Sequence, residues 1–160
     1  MNFTQSDKMK LKADALKWLR FHQRCPWIAT EVGEWNADVF GCNSKKSIEV
    51  EIKISWADMK NELNKPKHHH YGAHSIFGGT GGGRWTPNQF YFAVPDDLLD
   101  RAVEFSETKF GGSYGVISLT EFRVHKRAKT LHDRLPDQRV VLTTSLRMGS
   151  ELIRFWDAWL

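Results

Sequence analysis

The chain has 160 residues, 41% hydrophobic and 26% charged, and this composition is typical of one globular domain rather than a disordered or fibrous chain. It contains no apolar run of about 18 residues, so we expect no transmembrane helix, and its first residues lack the pattern of a secretory signal. Two cysteines without metal-type spacing favour reduced thiols in a cytoplasmic protein, and a formal charge of +4 is compatible with a polyanionic partner. We therefore expect a single domain over residues 1–160 and no membrane partner.

The N-terminal part predicts a helix followed by a strand. Thr4 and Asp7 make a capping box, and apolar residues recur at three- and four-residue steps over residues 4–24. Pro26 ends this helix, because the residue before a proline is disfavoured in the helical region. The first strand is predicted over residues 28–32.

A period of two marks the third predicted strand. Apolar and charged residues alternate over residues 47–54, which is typical of a half-buried strand. Side chains two residues apart share a face, so Glu49, Glu51 and Lys53 lie together on the polar side. A solvated strand with alternating charge is the alternative interpretation.

A hairpin joins this strand to the one before it. Residues 37–40 are predicted to be a strand, and residues 41–46 have turn chemistry. If the hairpin turns about residues 44–45, facing residue numbers add up to 89, and Asp38 lies directly opposite Glu51.

The predicted pairing of Asp38 with Glu51 indicates a cation site. Facing Cβ atoms of an antiparallel pair are about 4.5–5.5 Å apart, and two carboxylates so close imply a proton or a cation between them. A pocket lined by carboxylate oxygens suits Mg²⁺, which also takes substrate phosphate as a ligand. Lys53 would orient a bound water or neutralise a transferring phosphoryl group.

The next helix is predicted over residues 56–64, with Ser55 as its cap and Asp58 as the capping-box acid. Three lysines on or after it would lie near the metal end of the strand and hold a phosphate backbone. They are Lys60, Lys65 and Lys67. Simple solvation of these lysines explains them equally well.

Four histidines follow, His68, His69, His70 and His74. We expect a basic, pH-sensitive loop that faces DNA rather than a zinc site. Three consecutive histidines cannot all point at one ion, and no cysteine or acidic residue stands nearby at ligand spacing. One histidine would assist the chemistry as a proton donor.

The glycine-rich residues 78–86 are predicted to be a flexible insertion. A nucleotide-binding P-loop is excluded, because Arg84 and Trp85 stand where lysine and serine or threonine are required. As a flap, the segment would place Arg84 on a phosphate and Trp85 against a base or sugar. A surface loop without this role is the alternative.

The remaining pattern alternates strands and helices and ends in a helix from Thr144 or Ser145. The strands are predicted over residues 88–94, 114–118 and 122–128, and a helix over residues 96–105. The last helix carries an apolar stripe of Leu152, Phe155, Trp156, Trp159 and Leu160. We expect this stripe to pack on the core, whereas an exposed stripe would mark a dimer or partner surface.

Asp38, a turn and then Glu51-Ile52-Lys53 resemble the PD-(D/E)XK nuclease motif. The order of the surrounding segments is also similar to that of the bacterial DNA-repair endonucleases of the MmcB type, over roughly residues 28–130. These segments are residues 31–38, 49–55 and 57–60, Tyr71, and residues 90–95.

The resemblance implies an α/β (α+β) domain of the restriction-endonuclease-like fold, with a central mixed β-sheet flanked by helices. It implies a Mg²⁺-dependent DNA endonuclease, with Mn²⁺ as a substitute, that leaves 5′-phosphate and 3′-hydroxyl ends. Asp38, Glu51 and the backbone carbonyl of Ile52 would hold the metal. Glu31 would be an additional acidic residue beside it, with Glu34 as the competitor for that role.

The function we expect is phosphodiester hydrolysis in DNA repair, recombination or mobile-element processing, by the chain alone, as a homodimer or in a larger complex. The residues expected to contact nucleic acid are Lys60, Lys65, Lys67, His68 and Arg84. The alternative is a non-catalytic or complex-dependent nucleic-acid-binding module on the same fold. RNA as the substrate stays open.

Overall fold

The computed structural model describes residues 3–4, 7–71 and 84–158. The strands are β1 (Trp27–Val32), β2 (Ala37–Cys42), β3 (Ser47–Ile52), β4 (Gln89–Val94), β5 (Gly115–Ser118) and β6 (Val124–Lys126). The helices are α1 (Lys8–Lys17), α2 (Trp56–Asn61), α3 (residues 67–71), α4 (Leu99–Phe110) and α5 (Gln138–Asp157). A π-helical segment (Trp18–His22) extends α1, and short 3₁₀ segments (Glu62–Asn64 and Asp96–Leu98) follow α2 and precede α4.

All six strands belong to one mixed sheet, in the order β1-β2-β3-β4-β5-β6. The first three strands are antiparallel, β4 and β5 run parallel to β3, and β6 is antiparallel to β5. Helical segments make the two parallel crossovers, as such connections require. The prediction of a mixed α/β fold with a central sheet flanked by helices is confirmed.

Asn43 fixes the geometry of the β2–β3 hairpin. Its side-chain Oδ1 accepts hydrogen bonds from the backbone N–H groups of Lys45 at 2.8 Å and Lys46 at 3.0 Å. The N–H of Asn43 donates in turn to the carbonyl of Lys46 at 2.9 Å. An asparagine that bonds the backbone two and three residues on closes a tight turn, so the four residues 43–46 set which residues of β2 and β3 face each other.

Both faces of the sheet are covered. On one face, α1 and its π-helical extension pack on apolar side chains of the central strands and bury Leu11, Ala15 and Leu19. On the other face, α2 and α4 cover an aromatic layer that includes Phe90 and Phe92 of β4. The central strands therefore lie inside the protein on both sides.

β3 differs from its prediction for this reason. All six of its residues are buried, and Glu49 and Glu51 are each only 1% exposed. The expectation of a half-buried strand is wrong, and the alternative of a solvated strand is wrong too, because helices cover both faces. The charged side chains of β3 consequently need partners inside the protein.

α5 covers the edge strand β1. The Nε group of Arg147 donates to the carbonyl of Thr30 at 3.1 Å, and the N–H of Thr30 donates to Glu151 Oε1 at 2.9 Å. Two side chains one helical turn apart thus satisfy both backbone groups of an edge residue. An edge covered in this way is protected from pairing with another chain.

α5 begins earlier than predicted. Asp137 caps it by accepting a hydrogen bond from the N–H of Val140 at 2.9 Å, so the expected start at Thr144 or Ser145 is wrong.

The apolar stripe of α5 does not pack on the core. Leu152, Phe155 and Trp156 are each more than half exposed, so the expectation that they are buried is wrong. Trp159 and Leu160 of the predicted stripe lie outside the described residues. Among the helices that the structure describes, none has the length and apolar character needed to cross a membrane.

Candidate active site

The β2–β3 hairpin has the register predicted from the sequence. Phe40 pairs with Glu49, so facing residue numbers add up to 89. If this register continues two residues beyond the Phe40–Glu49 pair, Asp38 lies opposite Glu51. Both residues are then on the face of the sheet that also carries Lys53. The three residues of the predicted motif therefore come from adjacent positions on two neighbouring strands.

Asp38 lies where the site meets solvent, with its side chain 28% exposed. Its Oδ2 accepts a hydrogen bond from the backbone N–H of Ile52 at 3.0 Å, and Lys12 Nζ lies 3.7 Å from its Oδ1. Burial and the carboxylate of Glu51 raise the pKa of Asp38 and outweigh these two contacts. The two carboxylates are thus close enough to repel each other, a repulsion that a cation between them would relieve.

The ammonium group of Lys53 is held between acidic side chains. Its Nζ lies 3.3 Å from Glu51 Oε2, 2.5 Å from Glu62 Oε2 and 4.0 Å from Asp58 Oδ1. Burial alone would lower the pKa of Lys53, but Glu51 and Glu62 outweigh burial and raise it. Lys53 is therefore a fixed positive charge and not a proton acceptor.

These residues belong to a larger set, which we call the buried ionic cluster. It comprises three carboxylates and three ammonium groups, those of Glu49, Glu51, Glu62, Lys53, Lys65 and Lys67. Formal charges within it balance, and a buried group of charges is tolerated only when its members are paired.

Lys67 occupies the centre of the cluster. Its side chain is 1% exposed, and Nζ donates to Glu49 Oε1 at 2.7 Å and to Glu51 Oε1. Glu62 Oε1 lies 3.4 Å from the same ammonium group. Burial alone would lower the pKa of Lys67, but the three carboxylates raise it. One lysine therefore contacts all three acidic residues of the cluster in the interior.

Glu51 is ionised because of its lysine neighbours. Burial alone would raise its pKa, but Lys67, Lys53 and Lys65 together lower the pKa of Glu51 to about 2. Lys65 contributes from the surface side, since its side chain is 39% exposed and its Nζ lies 3.0 Å from Glu51 Oε2. A carboxylate in this state can serve as a metal ligand at neutral pH.

An aromatic layer closes the inner end of the cluster. The hydroxyl of Tyr71 donates to Glu49 Oε2 at 2.7 Å, and His68 bridges Glu62 Oε1 and the hydroxyl of Tyr114, each at 2.8 Å. Burial lowers the pKa of His68 despite Glu62, which favours the neutral imidazole. The polar atoms at this end are therefore bonded to each other.

Of the two acidic residues considered as additional metal ligands, only Glu31 lies near Asp38. Lys12 connects the two, with its Nζ 3.4 Å from Glu31 Oε1 and 3.7 Å from Asp38 Oδ1. Arg147 also pairs with Glu31, at 3.2 Å. Glu34 is exposed in the turn between β1 and β2. The placement favours Glu31 over Glu34 for an acidic role beside Asp38.

The lysines expected to contact nucleic acid differ in accessibility. Lys60 is exposed on α2, and Lys65 is partly exposed at the rim of the cluster. Lys67 and His68 are buried, with side chains 1% and 7% exposed, so their placement does not support a phosphate contact. The expectation that His68 belongs to a loop facing DNA is wrong, because residues 67–71 form a helix whose inner side packs on aromatic rings.

Arg84 is far from the site. It pairs with Asp137 at 3.0 Å and lines a cavity of about 150 Å³ beside Ser47, at the opposite end of β3 from Glu51. Ser47 and Glu51 are four strand positions apart, or about 13 Å. Arg84 is thus not grouped with the predicted catalytic residues.

Trp85 is a packing residue. Its ring makes an edge contact with Phe40 at a centroid distance of 5.9 Å. It also lies against Gly33, where a Cβ atom would come within 2.6 Å of the indole. Gly33 has a φ of +81°, so the turn and the close indole both require glycine. The expectation of Trp85 on a flap over substrate does not fit this packing, and residues 78–83 lie outside the described residues.

The histidine tract forms no zinc site in the described residues. His70 packs against Trp35 in a tilted arrangement at a centroid distance of 5.0 Å, and His69 is exposed. His74 lies outside the described residues. Within residues 3–4, 7–71 and 84–158, no group of three or more histidine, cysteine, aspartate and glutamate side chains is arranged to hold a metal ion.

The donor atoms near Asp38 nevertheless fit Mg²⁺. This ion keeps several waters and takes only one or two protein carboxylates, so Asp38 and Glu51 are sufficient in number. The N–H of Ile52 points at Asp38, and in a strand the carbonyl of a residue points to the same side as its N–H. The carbonyl of Ile52 therefore lies on the side of β3 that faces Asp38.

The sequence interpretation missed Glu62 and Tyr71 as members of this site. Both had a sequence signal, because residues four apart on a helix share a face. Lys67 and Tyr71 have this spacing, and so do Asp58 and Glu62.

Comparisons of the chain with protein-family models, with curated proteins and with solved structures found no match.

Proposed function

We propose that this domain is a metal-dependent DNA endonuclease of the PD-(D/E)XK superfamily, with a restriction-endonuclease-like fold. The observation that carries the proposal is the convergence of Asp38, Glu51 and Lys53, with Lys53 Nζ 3.3 Å from Glu51 and Asp38 opposite Glu51 in the hairpin. A process in DNA repair, recombination or mobile elements fits the resemblance to MmcB-type endonucleases.

Asp38, Glu51 and the carbonyl of Ile52 would hold Mg²⁺, or Mn²⁺ as a substitute. When bound, such an ion lowers the pKa of a coordinated water and withdraws charge from a phosphate. Asp38 must be ionised for this role, and its raised pKa makes the site dependent on pH.

Lys53 would act as an electrostatic group. Its raised pKa keeps it as an ammonium, which stabilises the extra negative charge on the phosphate in the transition state. Its contacts with Glu51 and Glu62 hold it at the end of β3 before substrate arrives. A fixed charge of this kind needs no reorganisation during the reaction.

The surroundings of Asp38 supply positive charge for a polyanion. Lys12 and Lys65 border the site, and Lys60 is exposed on the neighbouring α2. Lys8 pairs with Asp58 at 3.4 Å near the same end of the sheet. These lysines offset the repulsion between DNA phosphates and the carboxylates.

A second candidate is a nucleic-acid-binding module that does not cleave by itself. It is favoured by the burial of Glu51 and Lys53, which are 1% and 4% exposed. A substrate phosphate reaches these groups only if Lys65 moves or another subunit opens the site. An endonuclease subunit that works only inside a larger complex has the same requirement.

Cleavage of plasmid DNA separates these candidates. The pure protein is incubated with supercoiled plasmid, single-stranded circles and RNA, in Mg²⁺ or Mn²⁺ and with EDTA. We expect metal-dependent nicking of DNA that falls at least 100-fold in Asp38→Asn and in Lys53→Met, whereas Lys45→Met, in the exposed hairpin turn at the other end of β3, should leave nicking unchanged. Inert protein that still binds DNA in EDTA would favour the binding module. Nicking unchanged in Asp38→Asn would refute the proposed site.

A further inference from the structure

The outward side of α5 carries large apolar side chains that nothing in the described chain covers. Leu142, Leu146, Leu152, Ile153 and Trp156 are each 56–64% exposed. The side of α5 facing the sheet is different, because it buries Val140 and Thr144 and bonds Thr30 through Arg147 and Glu151. We call the outward side the α5 apolar face.

The spacing of the α5 apolar face is that of a helix-packing surface. Its positions 142, 145, 146, 149, 152, 153 and 156 recur at steps of three and four residues. This is the pattern by which one helix packs lengthwise on another. A helix of 20 residues provides a contact line about 30 Å long.

Gly149 lies at the middle of this face. A Cβ atom there would meet nothing within 4 Å in the described chain, so the fold of one copy does not require glycine. Glycine is a poor residue for a helix interior. Together with Ser145 one turn earlier, Gly149 leaves a shallow place where a second helix can approach closely.

The α5 apolar face is complementary to itself about Gly149. Leu142 and Trp156 lie seven residues before and after Gly149. Leu146 and Leu152 lie three residues before and after it. An antiparallel copy centred on Gly149 therefore sets leucine against tryptophan at both ends and leucine against leucine near the middle. A twofold interface has this self-complementary character.

Charge selects the antiparallel arrangement. Arg139 and Asp157 are both exposed and are 18 residues apart, which is about five turns, so they lie along the same edge of α5. In an antiparallel pair, Arg139 of one copy lies beside Asp157 of the other, at both ends. In a parallel twofold pair the two copies of this edge would lie on opposite sides of the interface, so neither ion pair would form.

The area is sufficient for a specific interface. A large side chain carries on the order of 150–200 Å² of surface, so five side chains at these exposures offer on the order of 500 Å² per copy. Two copies then reach about the 1,000 Å² expected of a biological interface. We propose that the α5 apolar face binds a second copy of this chain, as an antiparallel α5–α5 pair centred on Gly149.

Analytical ultracentrifugation of the full chain tests the stoichiometry. Between about 1 and 100 μM, we expect the mass to approach twice the monomer's 18.5 kDa. Gly149→Leu should weaken association at least tenfold, because it fills the crossing point, yet keep the folded circular-dichroism spectrum. Thr143→Leu, at an exposed position off the face, is the matched control and should leave association unchanged.

Cross-linking tests the geometry. Gly149→Cys should form an intermolecular disulfide under mild oxidation, whereas Thr143→Cys should not, and the native Cys25 and Cys42 are buried. Arg139→Asp and Asp157→Arg should each weaken association, and the double variant should restore it. A monomer at 100 μM, or association unaffected by Gly149→Leu, would overturn the proposal, as would a monomer that binds anionic vesicles through this face.

Discussion

Replacing Lys67 by methionine removes the central cation of the buried ionic cluster. The variant keeps a long apolar side chain but leaves Glu49, Glu51 and Glu62 with only Lys53 and Lys65 as neighbouring ammonium groups in the cluster. The formal charge of the cluster changes from zero to −1. Because Lys67 is 1% exposed, water does not replace the lost cation without opening the fold.

The expected loss of stability is large. Removing one partner of a buried ion pair costs about 3–5 kcal/mol, since it leaves an uncompensated buried charge. With a urea m-value of about 2 kcal/mol/M, a loss of about 4 kcal/mol lowers the unfolding midpoint by about 2 M. The deficit should shrink between pH 8 and pH 5. Glu49 already has a pKa raised by burial, and without Lys67 it takes up a proton more readily as the pH falls.

Urea unfolding followed by tryptophan fluorescence measures this loss, and two variants make it specific. Lys60→Met removes an exposed lysine from α2 and should change stability by less than about 0.5 kcal/mol. Lys67→Met combined with Glu49→Gln restores the charge balance and should recover at least half of the loss, since the amide oxygen of the new side chain still accepts from Tyr71. A loss below about 1 kcal/mol in Lys67→Met, or a double variant no more stable than Lys67→Met alone, would refute the assignment of the cluster as a coupled ionic unit.

Two further predictions concern single residues. Asn88 accepts a hydrogen bond from the N–H of Ser47 at 2.7 Å and donates to the carbonyls of His132 and Arg134 at 2.8 Å each. Asn88→Ala should therefore lower the free energy of unfolding by about 3 kcal/mol, measured by urea unfolding. The exposed Asn61→Ala is the control and should change it little. Mn²⁺ binding, measured by calorimetry from pH 4.5 to 7.5, should become stronger as the pH rises. The pKa of Asp38 is raised, so its carboxyl group loses its proton and can bind a cation only at a higher pH than usual. Binding with the same strength and pH dependence in Asp38→Asn would contradict this.

The register of the β2–β3 hairpin could be read from the sequence because it depends on local rules. The strict alternation of β3 sets which residues share a face, and the short turn with Asn43 sets the pairing. The order of strands and helices was predictable for the same reason, except for α3, which was expected to be a loop. Each element is defined by a period or by a turn signal that lies within a few residues.

The partners of Glu51 could not be read in this way. Lys65 and Lys67 approach β3 only because the chain folds α3 back over the sheet, a contact between residues 14 and 16 positions apart in sequence. The local pattern identified Lys60, Lys65 and Lys67 but did not show whether their side chains face solvent or the interior. Burial of β3 on both faces is likewise a property of the whole sheet, and a strand of alternating charge is rarely so placed.

The start of α5 was predictable and was missed. Asp137 followed by an apolar residue three positions later is a capping signal, and Pro136 before it marks the boundary. The exposure of the apolar stripe was not predictable. A helix with an apolar side packs equally well on its own core or on another chain. The hydrogen bonds from Arg147 and Glu151 of α5 to Thr30 of β1 decide which side of the helix faces inward.

The exposure of the lysines in the cluster determines where a metal ion could enter. Lys67 holds Oε1 of Glu51 from the interior, whereas Lys65 holds Oε2 from a position 39% exposed. Lys65 can move into solvent if an incoming cation replaces the positive charge that it provides to Glu51 and Glu62, whereas Lys67 is enclosed and cannot move out. Under the proposed function, Oε2 is the oxygen of Glu51 that would exchange an ammonium for a divalent ion, and Lys53 lies 3.3 Å from it. If the proposed function is correct, the same lysine that neutralises Glu51 in the free protein becomes available for a DNA phosphate when the metal ion binds.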